Sequence, residues 1–204
     1  MPIFSDKSLK AAGFWNFLRK DITYALIHEC PLKLRLERAS SQPISDDDIA
    51  NSMTLLLGRA INVVFGGHED NVLPDIMEWR GTLSKQPFSR IDDRPFPTVR
   101  MIQDSQVAAM QYFYLAMCLL QPEERVESAL EIYGLSMCSE SVPVLVNSYG
   151  AMVFAAKWLQ SSEEQQTLVD FLRSSERKTG WAVGALVSKL KEGWGESGAA
   201  ALNR

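Results

Sequence analysis

Residues 104–120 read DSQVAAMQYFYLAMCLL and are apolar on nearly every side of a helix. A helix with so little polar surface is stable only when other elements cover it all round. We therefore predict that this segment is the central, buried helix of the fold and that the remaining elements pack around it.

The segments on either side of it each show one apolar stripe at helical spacing, which is typical of helices that cover a core. The first runs from Ser8 to Cys30 and ends there because Pro31 disfavours helical geometry in the residue before it. The second begins at Ser45, a good N-cap, and ends at Gly66-Gly67. Further stripes begin near residues 73, 122, 142, 161 and 180.

These patterns predict an all-α protein of about eight helices with no convincing strand, arranged as an orthogonal or solenoid-like bundle. The length of the chain favours a single domain that spans residues 1–204. We expect the ordered core to span about residues 8–194 and residues 195–204 to form a flexible tail.

One long connection interrupts the helical pattern. Residues 84–100 contain three prolines, and Phe88 and Phe96 lie between them. We predict a long ordered loop that the aromatic side chains hold in place, and a loop of this length in a compact domain is often functional.

Composition and charge exclude several classes of protein. The formal net charge of −4 argues against a broad nucleic-acid surface, which needs clustered Lys and Arg. No apolar run is long enough to cross a bilayer, and residues 1–7 do not resemble a secretory signal. The three cysteines, Cys30, Cys118 and Cys138, are scattered, which fits a reducing compartment better than a disulfide framework.

The sequence shows no pattern that would place catalytic or metal-binding groups together. Of the two histidines, His28 is expected at the surface or at a helix end, and His68 lies in the turn Gly66-Gly67-His68. Neither belongs to a metal-binding motif, and no nucleophile elbow or phosphate loop is present. We therefore expect no cofactor, no metal and no enzymatic activity.

Two amides interrupt apolar helical segments and need hydrogen-bonding partners. A buried amide without partners costs about 1–3 kcal/mol, so Gln111 and Asn147 should each find one. A polar link between helices is one interpretation. The other is a pocket for a small effector, in which Gln111 and Asn147 act as polar anchors beside Tyr112, Tyr114 and Tyr149.

Four segments of the chain form a recognisable series. They are FWNFLRKDI at residues 14–22 with Ala25-Leu26, QVAAMQYFYLA at residues 106–116, NSYG at residues 147–150, and TGW at residues 179–181 with Leu190 and Trp194. In this order, from about Ala11 to Trp194, they resemble the C-terminal regulatory regions of the fungal-specific transcription factors, which are binuclear zinc-cluster regulators.

The resemblance implies a nuclear regulatory domain that binds a protein partner or a small effector. Ala182 stands where the family commonly has proline. The zinc-cluster module requires six cysteines, so three scattered ones exclude direct DNA reading through such a module in this chain.

The family's regulatory region usually extends further toward its N-terminus, so this chain resembles the C-terminal part of it. If family members have additional helices packed on this unit, the surface that those helices would cover is an exposed apolar patch in this chain. Such a patch favours self-association or binding of a protein partner.

Two other functions remain open at this point. One is a stand-alone interaction module, or a truncated paralogue that pairs with a longer regulator. The other is a small-molecule enzyme. An enclosed pocket with Gln111 or Asn147 would favour an effector sensor, and a continuous apolar face would favour partner binding. Two titratable groups that face each other across a cleft would favour an enzyme.

Overall fold

Helices make up most of the structure. The computed structural model describes residues 4, 6, 8–36, 45–83, 88–92, 94–101 and 103–202, with the backbone only at positions 46, 88 and 196–202. Within these ranges there are eight α-helices: α1 Leu9–His28, α2 Asp46–Gly66, α3 Leu73–Thr82, α4 Asp104–Leu120, α5 Arg125–Cys138, α6 Val142–Ala155, α7 Ser162–Thr179 and α8 Gly184–Leu202. Two single 3-10 turns, Pro122–Glu124 and Ala156–Trp158, precede α5 and follow α6.

Helix α4 is the centre of the bundle, as predicted. It packs against α2, α3, α5 and α6. Its buried residues include five consecutive positions, Ala109 to Phe113, which at about 100° per residue point to all sides of the helix. The buried apolar side chains of the described residues form one cluster, so a single core supports the whole all-α fold.

The helices pack out of sequence order. Helix α2 packs against α4, and α1 packs against α6. A solenoid repeat contacts mainly its sequence neighbours, so this arrangement is a bundle around α4 rather than a row of stacked pairs. Gly150 permits the approach of α6 to α1, because a Cβ atom at this position would lie 3.0 Å from Thr23 Cγ2.

Local sequence signals define the helix ends. Ser45 and Ser161 each form a capping box with the residue three positions later, Asp48 and Glu164. Helix α7 ends at Gly180, whose φ of 68° lies in the left-handed region that favours glycine. These signals confirm the predicted starts of α2 and α7.

The long connection contains a β-hairpin, which corrects the predicted loop and the absence of strands. Strands β1 Phe88–Ile91 and β2 Thr98–Met101 pair antiparallel, with Ser89 opposite Arg100. An isolated hairpin this short is marginal in water, and here β2 packs against α5. Phe96 is buried against Tyr133, with ring centroids 4.8 Å apart, so one of the two predicted aromatic anchors holds the connection.

The backbone of the C-terminal segment is helical. Helix α8 continues through residues 195–202, the part of the chain that we expected to form a flexible tail. Residues 199–201 are consecutive alanines, which have the highest intrinsic helix propensity and so favour continuation of the helix.

Candidate functional site

The buried side chain of Gln111 links three helices. Its side chain is only 1% exposed. Its Nε2 donates to Ser136 Oγ on α5 at 2.9 Å, and its Oε1 accepts from Ser148 Oγ on α6 at 2.9 Å. Both polar atoms of the amide are therefore satisfied by neighbouring helices, which is the polar-link interpretation of this residue.

The other predicted pocket residues lie in different surroundings. Tyr112 is buried beside α1 and α2, and burial raises the pKa of its hydroxyl. Tyr114 lies on the side of α4 that faces Glu131 and Arg80, and burial raises its pKa to about 12. The Tyr149 hydroxyl lies 3.0 Å from Ser175 Oγ and 3.2 Å from Thr179 Oγ1, both on α7.

Asn147 is only half-buried, one position before the residue that joins α6 to Gln111. Three surface grooves can be described, and of the five residues only Tyr112 lines one of them. The predicted effector pocket is absent from these three grooves in its predicted form.

The groove beside Tyr112 is small and lies between α1, α2 and α4. It measures about 200 Å³. Arg19 Nη2 donates to Asn51 Oδ1 at 2.7 Å across it. Its polar groups thus include a direct link between α1 and α2.

The groove beside the hairpin is the largest of the three, at about 400 Å³, and it contains most of the charge. Arg90 Nε donates to Glu131 Oε1 at 2.8 Å, and Arg90 also pairs with Asp92. The hydrogen bond that Arg90 donates to Glu131 is the main cause that raises the pKa of Arg90. Glu164 accepts from the backbone N–H of Ser161 at 3.0 Å. The Arg90–Glu131 pair attaches the hairpin to α5, and Glu164 caps the start of α7. These charged side chains therefore stabilise the fold.

The third groove lies between α8, α1 and the end of α6, and we call it the α8 groove. It measures about 160 Å³ and is mainly apolar. Its lining residues include Leu26, Phe154, Leu190 and Trp194, and Lys157 and Lys189 lie at its rim.

A further surface was not predicted as a site. The outer side of α1 carries Phe17, Lys20, Tyr24 and His28, spaced three and four residues apart, so they follow one line along the helix. Trp181 joins them, because Lys20 Nζ lies 5.1 Å from the centre of its ring. Together with Lys33 we call these residues the aromatic–basic face. Phe17 is 51% exposed, and Tyr24 and Trp181 are each 48% exposed.

Specific contacts position this face. The carboxylate of Asp21 accepts the backbone N–H groups of Lys33 at 2.8 Å and Leu34 at 3.1 Å, which holds the chain after α1 against the helix. Lys33 Nζ then lies 5.0 Å from the centre of the Tyr24 ring. The His28 ring also lies 4.2 Å from the Tyr24 ring, centre to centre. Tyr24 thus contacts both a lysine and a histidine while about half of its own surface remains exposed.

Trp181 is positioned by the end of α7. Gly180 turns the chain out of the helix, and the backbone N–H of Trp181 donates to Thr179 Oγ1 at 3.1 Å. The same Thr179 hydroxyl lies next to Tyr149 of α6. The indole therefore projects from a turn that is fixed to the core. The sequence signal for the face was the spacing of Phe17 and Tyr24 opposite the buried stripe of Trp15, Leu18 and Ile22.

A metal site needs several ligands close together, and a membrane span needs a long apolar helix. Among the described residues, no three His, Cys, Asp or Glu side chains come together as a metal site would require. The segment Asp47–Gly66 of α2 is long and apolar enough to cross a membrane by length and composition alone. More than half of that segment is buried inside the bundle, and core helices of soluble proteins pass the same test.

Comparison with known proteins gives no assignment, because no family model, no curated protein and no solved structure matches this chain.

Proposed function

We propose that this chain is the regulatory domain of a fungal-type transcription regulator and that it acts in the nucleus by binding a protein partner. In this proposal it neither reads DNA directly nor catalyses a reaction. The family assignment rests on the four sequence segments described above. Partner binding rests on one structural observation, which is the half-exposed aromatic–basic face.

The contacts between the four segments support the family proposal. Thr23, just after the first segment, packs on Gly150 of the third. Gln111 of the second is hydrogen-bonded to Ser148 of the third. Tyr149 of the third lies against Thr179 of the fourth. Residues that join helices in this way are the ones that a shared fold would require.

The chemistry of the face favours an acidic partner segment with apolar side chains. Three aromatic rings at half exposure offer apolar area that binding would remove from water. Lys20 and Lys33 add positive charge beside two of the rings, although the chain as a whole carries −4. A segment that combines Asp or Glu with Leu or Phe satisfies both features, and its charge would speed association.

Binding can be measured with a fluorescent peptide that contains Asp, Glu, Leu and Phe, by fluorescence polarisation at several salt concentrations. We expect Trp181→Ala to weaken binding about tenfold or more, because aromatic anchors carry most of the energy of an interface. Lys20→Glu should weaken binding mainly at low salt, where charges are least screened. Peptides with Lys in place of the acids should not bind.

Matched controls lie on other elements. Met77 on α3 is as exposed as Phe17, and Arg100 on β2 is an exposed cation, so Met77→Ala and Arg100→Glu should leave binding unchanged. Equal losses in the controls would refute the assignment to this face. A dimer that dissociates on Trp181→Ala in sedimentation experiments would assign the face to self-association instead.

The transcriptional part of the proposal needs its own test. The chain can be fused to an unrelated DNA-binding domain upstream of a reporter gene. We expect a change in reporter output that Trp181→Ala abolishes and Met77→Ala preserves. A fusion that is present in the nucleus but leaves the reporter unchanged would contradict a regulatory function while leaving peptide binding intact.

A further inference from the structure

The α8 groove combines an apolar interior with a charged rim. Leu26 of α1, Val153 and Phe154 of α6, and Leu190 and Trp194 of α8 form the interior. Trp194 Nε1 donates to the backbone oxygen of Ala156 at 2.9 Å, which fixes the indole as one wall. The groove is thus a built cleft between the last helix and the core.

Two lysines and one glutamate form the rim. Lys157 Nζ donates to Glu29 Oε1 at 2.5 Å, and Lys189 Nζ donates to the backbone oxygen of Ile27 at 2.8 Å. An ammonium group has three donors, and each of these contacts uses one of them. Two positive charges against one negative charge leave a net charge of +1 at the mouth of an apolar cleft.

The size of the cleft limits its occupant. Its volume of about 160 Å³ is close to that of an engineered apolar cavity of about 150 Å³ that binds benzene. One aromatic ring therefore fills the interior, and larger molecules would extend into solvent. A single negative charge on the ring's substituent would neutralise the rim.

We propose that the α8 groove binds a small aromatic monocarboxylate. The ring lies in the apolar interior beside Leu190 and Trp194, and the carboxylate accepts hydrogen bonds from Lys157 and Lys189. Charge-assisted hydrogen bonds of this kind are roughly twice as strong as neutral ones. This site is separate from the aromatic–basic face and does not depend on the transcriptional proposal.

Occupancy of the groove would tie α8 more firmly to the core. The ligand would contact α1, α6 and α8 at once, whereas the lysine contacts each join only two elements. A ligand that binds only the docked arrangement stabilises it by mass action. The structure thus suggests an effector that acts by holding α8 in place.

The probes are benzoate and phenylacetate, measured by isothermal titration calorimetry against the whole chain. We expect saturable binding of at least one of them. Acetate, which has the charge without the ring, and benzylamine, which has the ring with the opposite charge, should bind at least about tenfold more weakly. The melting temperature should rise with the concentration of the carboxylate that binds.

Two variants test the residues directly. Lys189→Met keeps most of the apolar stem of the side chain but removes the charge, and should weaken carboxylate binding about tenfold while benzyl alcohol binding is unaffected. Gly193→Leu fills the groove and should abolish binding of both. A Cβ atom at Gly193 meets no other atom within 4 Å, so this variant has room to fold. Lys191→Met, an exposed lysine of α8 outside the groove lining, is the matched control.

Three results would overturn the proposal. The first is no heat and no thermal shift from either carboxylate at millimolar concentration. The second is binding that Lys189→Met and Lys191→Met reduce equally. The third is binding that survives Gly193→Leu in a variant whose circular dichroism and melting curve match those of the parent chain.

Discussion

Ser148 Oγ on α6 lies 2.9 Å from Gln111 Oε1 on α4, and this hydrogen bond connects the central helix to a helix that packs on it. Ser148 Oγ is also 2.7 Å from the backbone oxygen of Val144, so its single proton is shared between two acceptors. Ser136 is placed similarly on α5, with Ile132 as its backbone acceptor at 2.7 Å. The link is therefore a small buried network whose members depend on one another.

The Gln111 network gives a prediction about stability. Gln111→Leu should lower the free energy of unfolding by about 1–3 kcal/mol, because it removes a partner from each of two buried hydroxyls. The triple change Gln111→Leu, Ser136→Ala and Ser148→Ala should recover much of the loss, since no buried polar atom is then left behind. Urea denaturation measures both. A triple variant less stable than the single one would show that the hydroxyls matter for another reason.

Two glycines in helices should respond in opposite ways to alanine. A Cβ atom at Gly134 of α5 would collide with the backbone oxygen of Pro97, whereas one at Gly13 of α1 meets nothing within 4 Å. Gly134→Ala should therefore destabilise the protein by about 1–3 kcal/mol through overpacking. Gly13→Ala should stabilise it by about 0.5–1 kcal/mol through helix propensity. Thermal denaturation of both variants gives the comparison, and equal shifts would mean that Pro97 moves away freely.

Arg59 should not tolerate replacement by lysine. Its guanidinium is 6% exposed and binds Asp70 through two nitrogens at 2.7 and 2.8 Å, and Asp75 through the third at 2.8 Å. An ammonium group cannot reproduce this fork, so Arg59→Lys should cost about 1–3 kcal/mol. Arg100→Lys on the exposed side of the hairpin should change stability by no more than about 0.5 kcal/mol. Guanidinium chloride masks ionic effects, so urea is the denaturant of choice.

Cys118 should be the least reactive of the three thiols. Burial raises its pKa to about 12, so at pH 8 only about one part in ten thousand is thiolate. Cys30 and Cys138 are half-buried. Iodoacetamide followed by peptide mass mapping should therefore label Cys118 last in the native protein, and all three at similar rates in urea. Labelling of Cys118 as fast as Cys30 without denaturant would indicate that α4 opens locally.

Much of the fold could be predicted from the sequence because its signals are local. The apolar stretch at residues 104–120 has no polar side to expose, and Ser45 and Ser161 mark helix starts. The hairpin could not be predicted in this way. Its strands are four residues long, the connection contains prolines, and its stability comes from packing on α5, which is a non-local contact.

The candidate surfaces were less accessible to sequence reasoning. A buried amide at Gln111 had to find partners, but nothing in the sequence distinguishes Ser136 and Ser148, 25 and 37 residues away, from other serines. Trp181 follows the glycine that ends α7, outside any periodic element, so spacing could not show which way it points. The α8 groove depends on three elements that are distant in sequence, and only their packing creates it.

The contact between Thr23 and Gly150 has a consequence for how the protein is made. Helix α1 is translated before α6, which covers part of its apolar stripe and follows more than a hundred residues later. At about 5–20 residues per second, the first helix waits several seconds or longer with this surface uncovered. During that interval the apolar stripe of α1 is open to contacts with other molecules, so the order of packing exposes the nascent chain to aggregation.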